Sequence, residues 1–137
     1  MTLKEFFCAD RFAQLAGVKI TEIGQGYARA EMPVTATVLN ASGWVQGGAI
    51  FTLADLTFAC AVNTHEQLTV SVHSNIAFFK SAREGQTLYA EARELVDHRR
   101  LPFAEVRITD DEGALVALFT SSGYRKANAS IDYDAFQ

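Results

Sequence analysis

Residues 40–63, NASGWVQGGAIFTLADLTFACAVN, place one carboxylate inside a run that is otherwise apolar on nearly every side. That carboxylate is Asp55. Phe51 and Thr52 lie one helical turn before it, and Phe58 and Ala59 one turn after. No Lys or Arg falls within a turn, so no local ion pair accounts for it. Burying such a group unpaired is costly, or its pKa rises. A raised pKa suits a general base working near neutral pH. Gly47 and Gly48 stand where the run begins. The first turn of a helix carries free N–H groups and the positive end of the dipole. Glycine lets a ligand approach those groups, so an anion or a carbonyl becoming an oxyanion can be held there. The plainer readings are a solvated stripe for Asp55 and a tight turn for Gly-Gly.

Gly47 and Asp55 are eight residues apart, about 12 Å along a helix. One helix cannot bring both to a single carbonyl group. Two copies running antiparallel across a two-fold axis can, with Gly47 of one meeting Asp55 of the other. Other chemistry is less well supported. His65, His73 and His98 do not cluster at metal spacing, and a terminal role suits His65 better than ligation. No GxSxG elbow accompanies the serines. No metal site is expected.

The elements that must carry these residues follow from periodicity. Residues 3–16 suggest an N-terminal helix, capped by Thr2 and stopped by Gly17. Val18 to Ile23 and Tyr27 to Pro33 suggest a hairpin, and 35–47 a loop. A long helix is expected over about 48–63. Four strands follow, from Leu68 through Phe78 with a register shift, Thr87 to Val96, Leu101 to Thr109, and Ala114 to Tyr124. The turns between the later strands are too short for parallel crossovers, so the sheet is antiparallel. An α+β fold results, one long helix wrapped by five to six strands. The helix is apolar all round and needs cover on most sides. A curled sheet supplies part, and a second subunit the rest. The domain is read as one unit, 1–137, with a helical segment at 1–17 and a polar tail at 127–137.

Composition sets the bounds. The chain has 137 residues, 49% of them hydrophobic, and a formal charge of -4. That allows a real core and disfavours general attraction to nucleic acid. The two cysteines show no CxxC spacing. Cys60 is expected to be buried and Cys8 partly so. The apolar runs are far short of a membrane span of roughly 20 residues. The opening MTLKEFFCADRFAQLAG is charged too early for a signal peptide. A soluble, cytoplasmic protein is expected.

Asn40, Gly43, Gly47-Gly48 and Leu53-Ala54-Asp55 together resemble the signature of the hotdog-fold acyl-CoA thioesterases, most closely the phenylacetate-degradation type. The Asn-to-Asp spacing matches without a gap. The resemblance spans about residues 18–126, including NIAFFKSAREGQTLYAEA, the DDEG turn and GYRK. It implies a hotdog fold, subunits joined sheet edge to sheet edge, and dimers paired into tetramers. It implies an acyl-CoA substrate and no separate cofactor. Asp55 would act as general base or nucleophile, Gly47 N–H would polarise the thioester carbonyl, and Asn40 would orient water or thioester. The family usually has His-Gly-Gly, and here Gln46 replaces the His. Gln can exchange hydrogen bonds but cannot carry charge. Trp44, Phe51 and Phe58 are candidates for the acyl pocket, beside Gln46 and Gly48. Lys80, Arg83 and Arg125 lead the candidates for the coenzyme phosphates, with Arg99, Arg100 and Lys126 behind. Two alternatives stay open, a non-catalytic acyl-CoA binding or regulatory module and a hotdog dehydratase or hydratase. The latter wants an Asp/His pair, and no His is placed in sequence to pair with Asp55.

Overall fold

In the computed structural model, described for residues 1–130, two short helices α1 (Leu3–Cys8) and α2 (Arg11–Ala16) precede strands β1 (Lys19–Gly24) and β2 (Tyr27–Pro33). The long helix α3 (Gly47–Val62) comes next, then β3 (Gln67–Phe78), β4 (Thr87–Val96), β5 (Phe103–Thr109) and β6 (Leu115–Ser130). The six strands form one antiparallel sheet in the order β1-β2-β4-β5-β6-β3. This is the expected architecture.

The sheet curls around α3 because its inner face is made of small and branched side chains. Ala28 and Ala30 of β2, Ala90 and Ala92 of β4, and Val106 and Ile108 of β5 are all buried. Period-two alternation puts such residues on one face of each strand. Small side chains there let the helix lie close. Phe119 of β6 anchors the packing, meeting Phe51 edge-on at 5.3 Å between centroids and Phe58 at 6.0 Å. One stripe of α3 is less covered, through Gly48, Thr52, Asp55 and Ala59. Those positions recur at helical spacing and define the face the sheet leaves open.

Three expectations are corrected. The N-terminal segment is two helices, because the Asp10 side chain accepts from Ala13 N at 3.0 Å and starts a new helix. Cys8, at the end of α1, is exposed rather than partly buried. The tail expected from residue 127 is strand as far as Ser130, which pairs with Gln67 of β3. The rest of that tail, 131–137, lies outside the described residues. No described helix is long and apolar enough to cross a membrane.

Candidate active site at the helix N-terminus

The start of α3 is built by its own loop. Gln46 is the N-cap, and its Oε1 accepts from Ala49 N at 3.1 Å. Its carbonyl takes Ala49 N and Ile50 N. Gly47 and Gly48 are left with N–H groups that have no acceptor among the described residues. An added side chain would press on a neighbour at both. A Cβ on Gly48 would stand 2.5 Å from Gln46 Oε1, and one on Gly47 3.2 Å from Phe78 Cζ. The loop is fixed by Asn40, whose Oδ1 accepts from Ser42 N at 2.9 Å and Trp44 N at 3.1 Å. Gly43 turns the chain between them at φ 84°. The Asn40 Nδ2 donors stay open among the described residues.

Asp55 sits two turns further along, half-buried on the open stripe. Ser71 Oγ of β3 donates to its Oδ1 at 3.3 Å. Burial pushes the Asp55 carboxyl above its ordinary range, the Ser71 hydrogen bond offsets part of this, and the charge of Asp10 adds to the rise. The arrangement is a carboxylate poised to take a proton, held by a hydroxyl, with free N–H donors on the same helix. Ser71 was not singled out as a site residue in the sequence. Alternation places it on a strand, but only the tertiary fold lays that strand beside Asp55.

The remaining candidates separate into groups. Trp44, Lys80 and Arg83 share a cavity of about 560 Å³, also lined by Gln86 and Glu112. The Arg83 guanidinium lies over the Trp44 ring, 5.3 Å from its centroid. Lys80 Nζ pairs with Asp110 Oδ2 at 2.6 Å. Trp44 therefore stands among charged groups, not beside Phe58 in an apolar pocket. Phe58 is 1% exposed and belongs to the core against Phe119, so in this chain it lines no open pocket. Arg125 is 5% exposed. Its Nη1 reaches Asp97 Oδ1 at 2.9 Å and His98 O at 3.2 Å, and its Nη2 is 3.6 Å from Glu94 Oε2. An internal ion-pair role replaces the phosphate contact expected for Arg125.

Two of the histidines, His65 and His98, are structural in this arrangement. His65 Nε2 meets Glu94 Oε1 at 2.8 Å, just past the C-terminus of α3. His65, Glu94 and Asp97 offer three ligand atoms within 4.8 Å of one another. The Arg125 guanidinium stands among them and already balances the carboxylates, which disfavours a cation there. His98 Nδ1 accepts from Arg100 N and Leu101 N and closes the β4–β5 turn. His73 lies exposed on β3.

Comparison with known proteins agrees with this fold. The family described as the Thioesterase superfamily matches residues 42–117, from within the site loop through α3, β3, β4 and β5 to the start of β6. The acyl-coenzyme A thioesterase PaaI of Escherichia coli is 31% identical over 116 residues, covering 85% of this chain and 83% of that protein. The structure of the E. coli PaaI protein from the phenylacetic acid degradation operon superposes with a TM-score of 0.88 at 29% identity, covering 93% of this chain and 92% of the other. A variant of the phenylacetic acid degradation protein PaaI from Thermus thermophilus gives 0.82 at 32% identity, over 85% of this chain and 100% of that one. With a matching family model, a matching fold and relatives that align over most of their length, the chain belongs to the thioesterase superfamily, as a hotdog-fold member of the PaaI type.

Proposed function

We propose that this protein hydrolyses acyl-coenzyme A thioesters, aryl or short to medium acyl, to the free acid and coenzyme A. The observation that carries the reading is Asp55, a half-buried carboxylate with a raised pKa on the same open helix stripe as Gly48. The thioesterase name of the E. coli relative supports the substrate class.

The thioester carbonyl binds at the N-terminus of α3, where Gly47 N–H donates to its oxygen. Asn40 Nδ2 orients the water or the thioester. Asp55 takes a proton from water as the water attacks the carbonyl carbon. The developing oxyanion is held by the helix N–H, and collapse expels the coenzyme A thiolate. The thiolate is protonated by Asp55 or solvent. In the nucleophilic variant, Asp55 attacks first and water opens the resulting anhydride. Either route uses no cofactor beyond the coenzyme A of the substrate. Gln46 caps the helix through Ala49 N, a role that needs no charge, so replacing the family's His leaves the oxyanion donor in place. Lys80 and Arg83, beside Trp44, are the proposed contacts for the coenzyme's nucleotide end.

The site is proposed to be shared between two copies. Gly47 and Asp55 are separated by about 12 Å on one helix, so each needs its complement from elsewhere. The outer edge of β3 carries Val70 and Val72, both exposed, and pairs with β6 on one side only. An unprotected apolar edge of this kind invites edge-to-edge pairing. Such dimers then pair into the proposed tetramer.

The test is thiol release from a panel of aryl, short and long acyl-CoAs by wild type and Asp55→Asn. Turnover that collapses in a folded Asp55→Asn protein supports the reading. Acyl-CoA that binds without turnover in wild type makes the protein a binding module, with Gln46 as the first residue to revert to His.

A further inference from the structure

The 40–46 loop parts two cavities of opposite character. Trp44 lines the charged one with Lys80, Arg83 and Glu112. Gln46 lines the other, of about 580 Å³, whose wall contains no ionisable side chain. That wall is Phe12, Leu15 and Ala16 of α2, Thr37, Val38 and Leu39 ahead of the loop, and Ala49 in the first turn of α3. Gly48, with its open N–H, also lines it. Phe12 and Leu15 are 68% and 71% exposed. A helix of six residues thus turns two large apolar side chains away from the core at the rim of an apolar cavity.

We infer that this cavity receives the acyl group of the thioester, an aryl or medium-length alkyl chain, and that α2 forms its outer wall and sets the acyl size. The inference rests on the thioesterase reading for the position of the carbonyl. A carbonyl held at the first turn of α3 has Gly48 and Ala49 as its immediate neighbours. Its carbon tail then lies against Leu39 and Leu15. The coenzyme half carries phosphates, and the uncharged cavity offers them no partner. The cavity with Lys80 and Arg83 does, on the other flank of the loop. The apolar volume falls in the range of roughly 300–1,000 Å³ typical of small-molecule sites. An acetyl group would leave most of it empty. Each further methylene buried there contributes roughly a factor of four in affinity.

The experiment compares kcat/KM for acetyl-CoA, octanoyl-CoA and phenylacetyl-CoA in wild type, Leu15→Trp and Leu15→Ala, with solution mass measured alongside. Leu15 is exposed, so neither change should unfold the chain. Wild type is expected to favour octanoyl-CoA or phenylacetyl-CoA over acetyl-CoA by about tenfold or more. Leu15→Trp fills the cavity and lowers that ratio by about tenfold, whereas Leu15→Ala maintains it or shifts it toward bulkier groups. Ratios that stay the same in both variants overturn the inference. So does a changed mass with unchanged ratios, which would assign the apolar wall to contact with a second copy. Should wild type hydrolyse none of the three, the thioesterase reading falls and binding decides the cavity's role. Octanoate and phenylacetate are then titrated by NMR. Binding weakened by Leu15→Trp keeps the acyl site, and no binding or unaltered binding removes it.

Discussion

Asp55 is the residue proposed to carry the chemistry, and its environment sets two measurable consequences. Burial raises its pKa and Ser71 restrains the rise. As general base it works when ionised, so kcat/KM should climb with pH through a limb lying above the ordinary carboxylate range. Ser71→Ala removes the hydrogen bond that favours the ionised form and should move that limb to higher pH. Asp55→Asn should cost roughly 10²–10⁴ in rate. Stability has a definite sign as well. The folded state keeps the Asp55 proton to higher pH than the unfolded state does. Its favourable contribution is therefore full below the unfolded pKa and is lost as pH rises through the folded one. Asp55→Asn escapes that loss, so urea melts should show the variant gaining on wild type from acid to neutral pH. An advantage that does not vary with pH would separate Asp55 from the effect. Asp55 and Gly47 could be proposed from the sequence because helix spacing is local, whereas Asn40 entered only through the family resemblance. The proposed role of Ser71 was not legible, nor were the stacking of Arg83 on Trp44 and the packing of Phe58 on Phe119, because such contacts depend on neighbours distant in the chain.

Elements position these residues, and two of them depend on single side chains. Among the described residues, the first turn of α3 is capped by the Gln46 side chain through Ala49 N. Gln46→Ala should cost about 1 kcal/mol in chemical denaturation, and Gln46→Ser, a better cap, should recover it. At the other end, Arg125 joins β6 to the β4–β5 turn and to Thr69 of β3. Burial pushes the Glu94 carboxyl up while His65 and Arg125 pull it down, so its charge depends on these partners. Arg125→Met leaves that charge unbalanced and should destabilise the fold by about 3 kcal/mol or more. Adding Glu94→Gln to Arg125→Met should restore part of the loss, and a double variant no better than the single would disprove the pairing. Periodicity revealed α3 and most strand positions, since those patterns are local. It missed the break at Asp10, where one capping side chain outweighs a continuous apolar pattern. It also missed the end of β6, whose polar residues are held by pairing with β3 across a long stretch of sequence.

At the scale of the whole molecule, the open stripe of α3 and the free edge of β3 are where the proposed second copy would sit, and complementation can establish whether the site needs one. Gly47→Pro removes the N–H proposed to hold the oxyanion. Gly47 is the first residue of α3, where proline is well tolerated. Gln46, at φ -77° and ψ 136°, already has the backbone a residue before proline requires. The added carbon meets the Phe78 ring at 3.2 Å, which asks for a small shift of an exposed side chain. The helix should survive while activity falls by roughly 10²–10³. Asp55→Ala removes the carboxylate from the other half of the site. Each variant alone is expected to be nearly inactive. When they are unfolded together and refolded, a mixed dimer has one site with both defects and one with neither. Random pairing of equal amounts makes about half the dimers mixed, so about a quarter of wild-type activity should return. Activity that stays at the level of the parents, with mixed dimers confirmed by native mass spectrometry, would place each working site within one copy. The roughly 12 Å between Gly47 and Asp55 would then have to be bridged by the substrate itself.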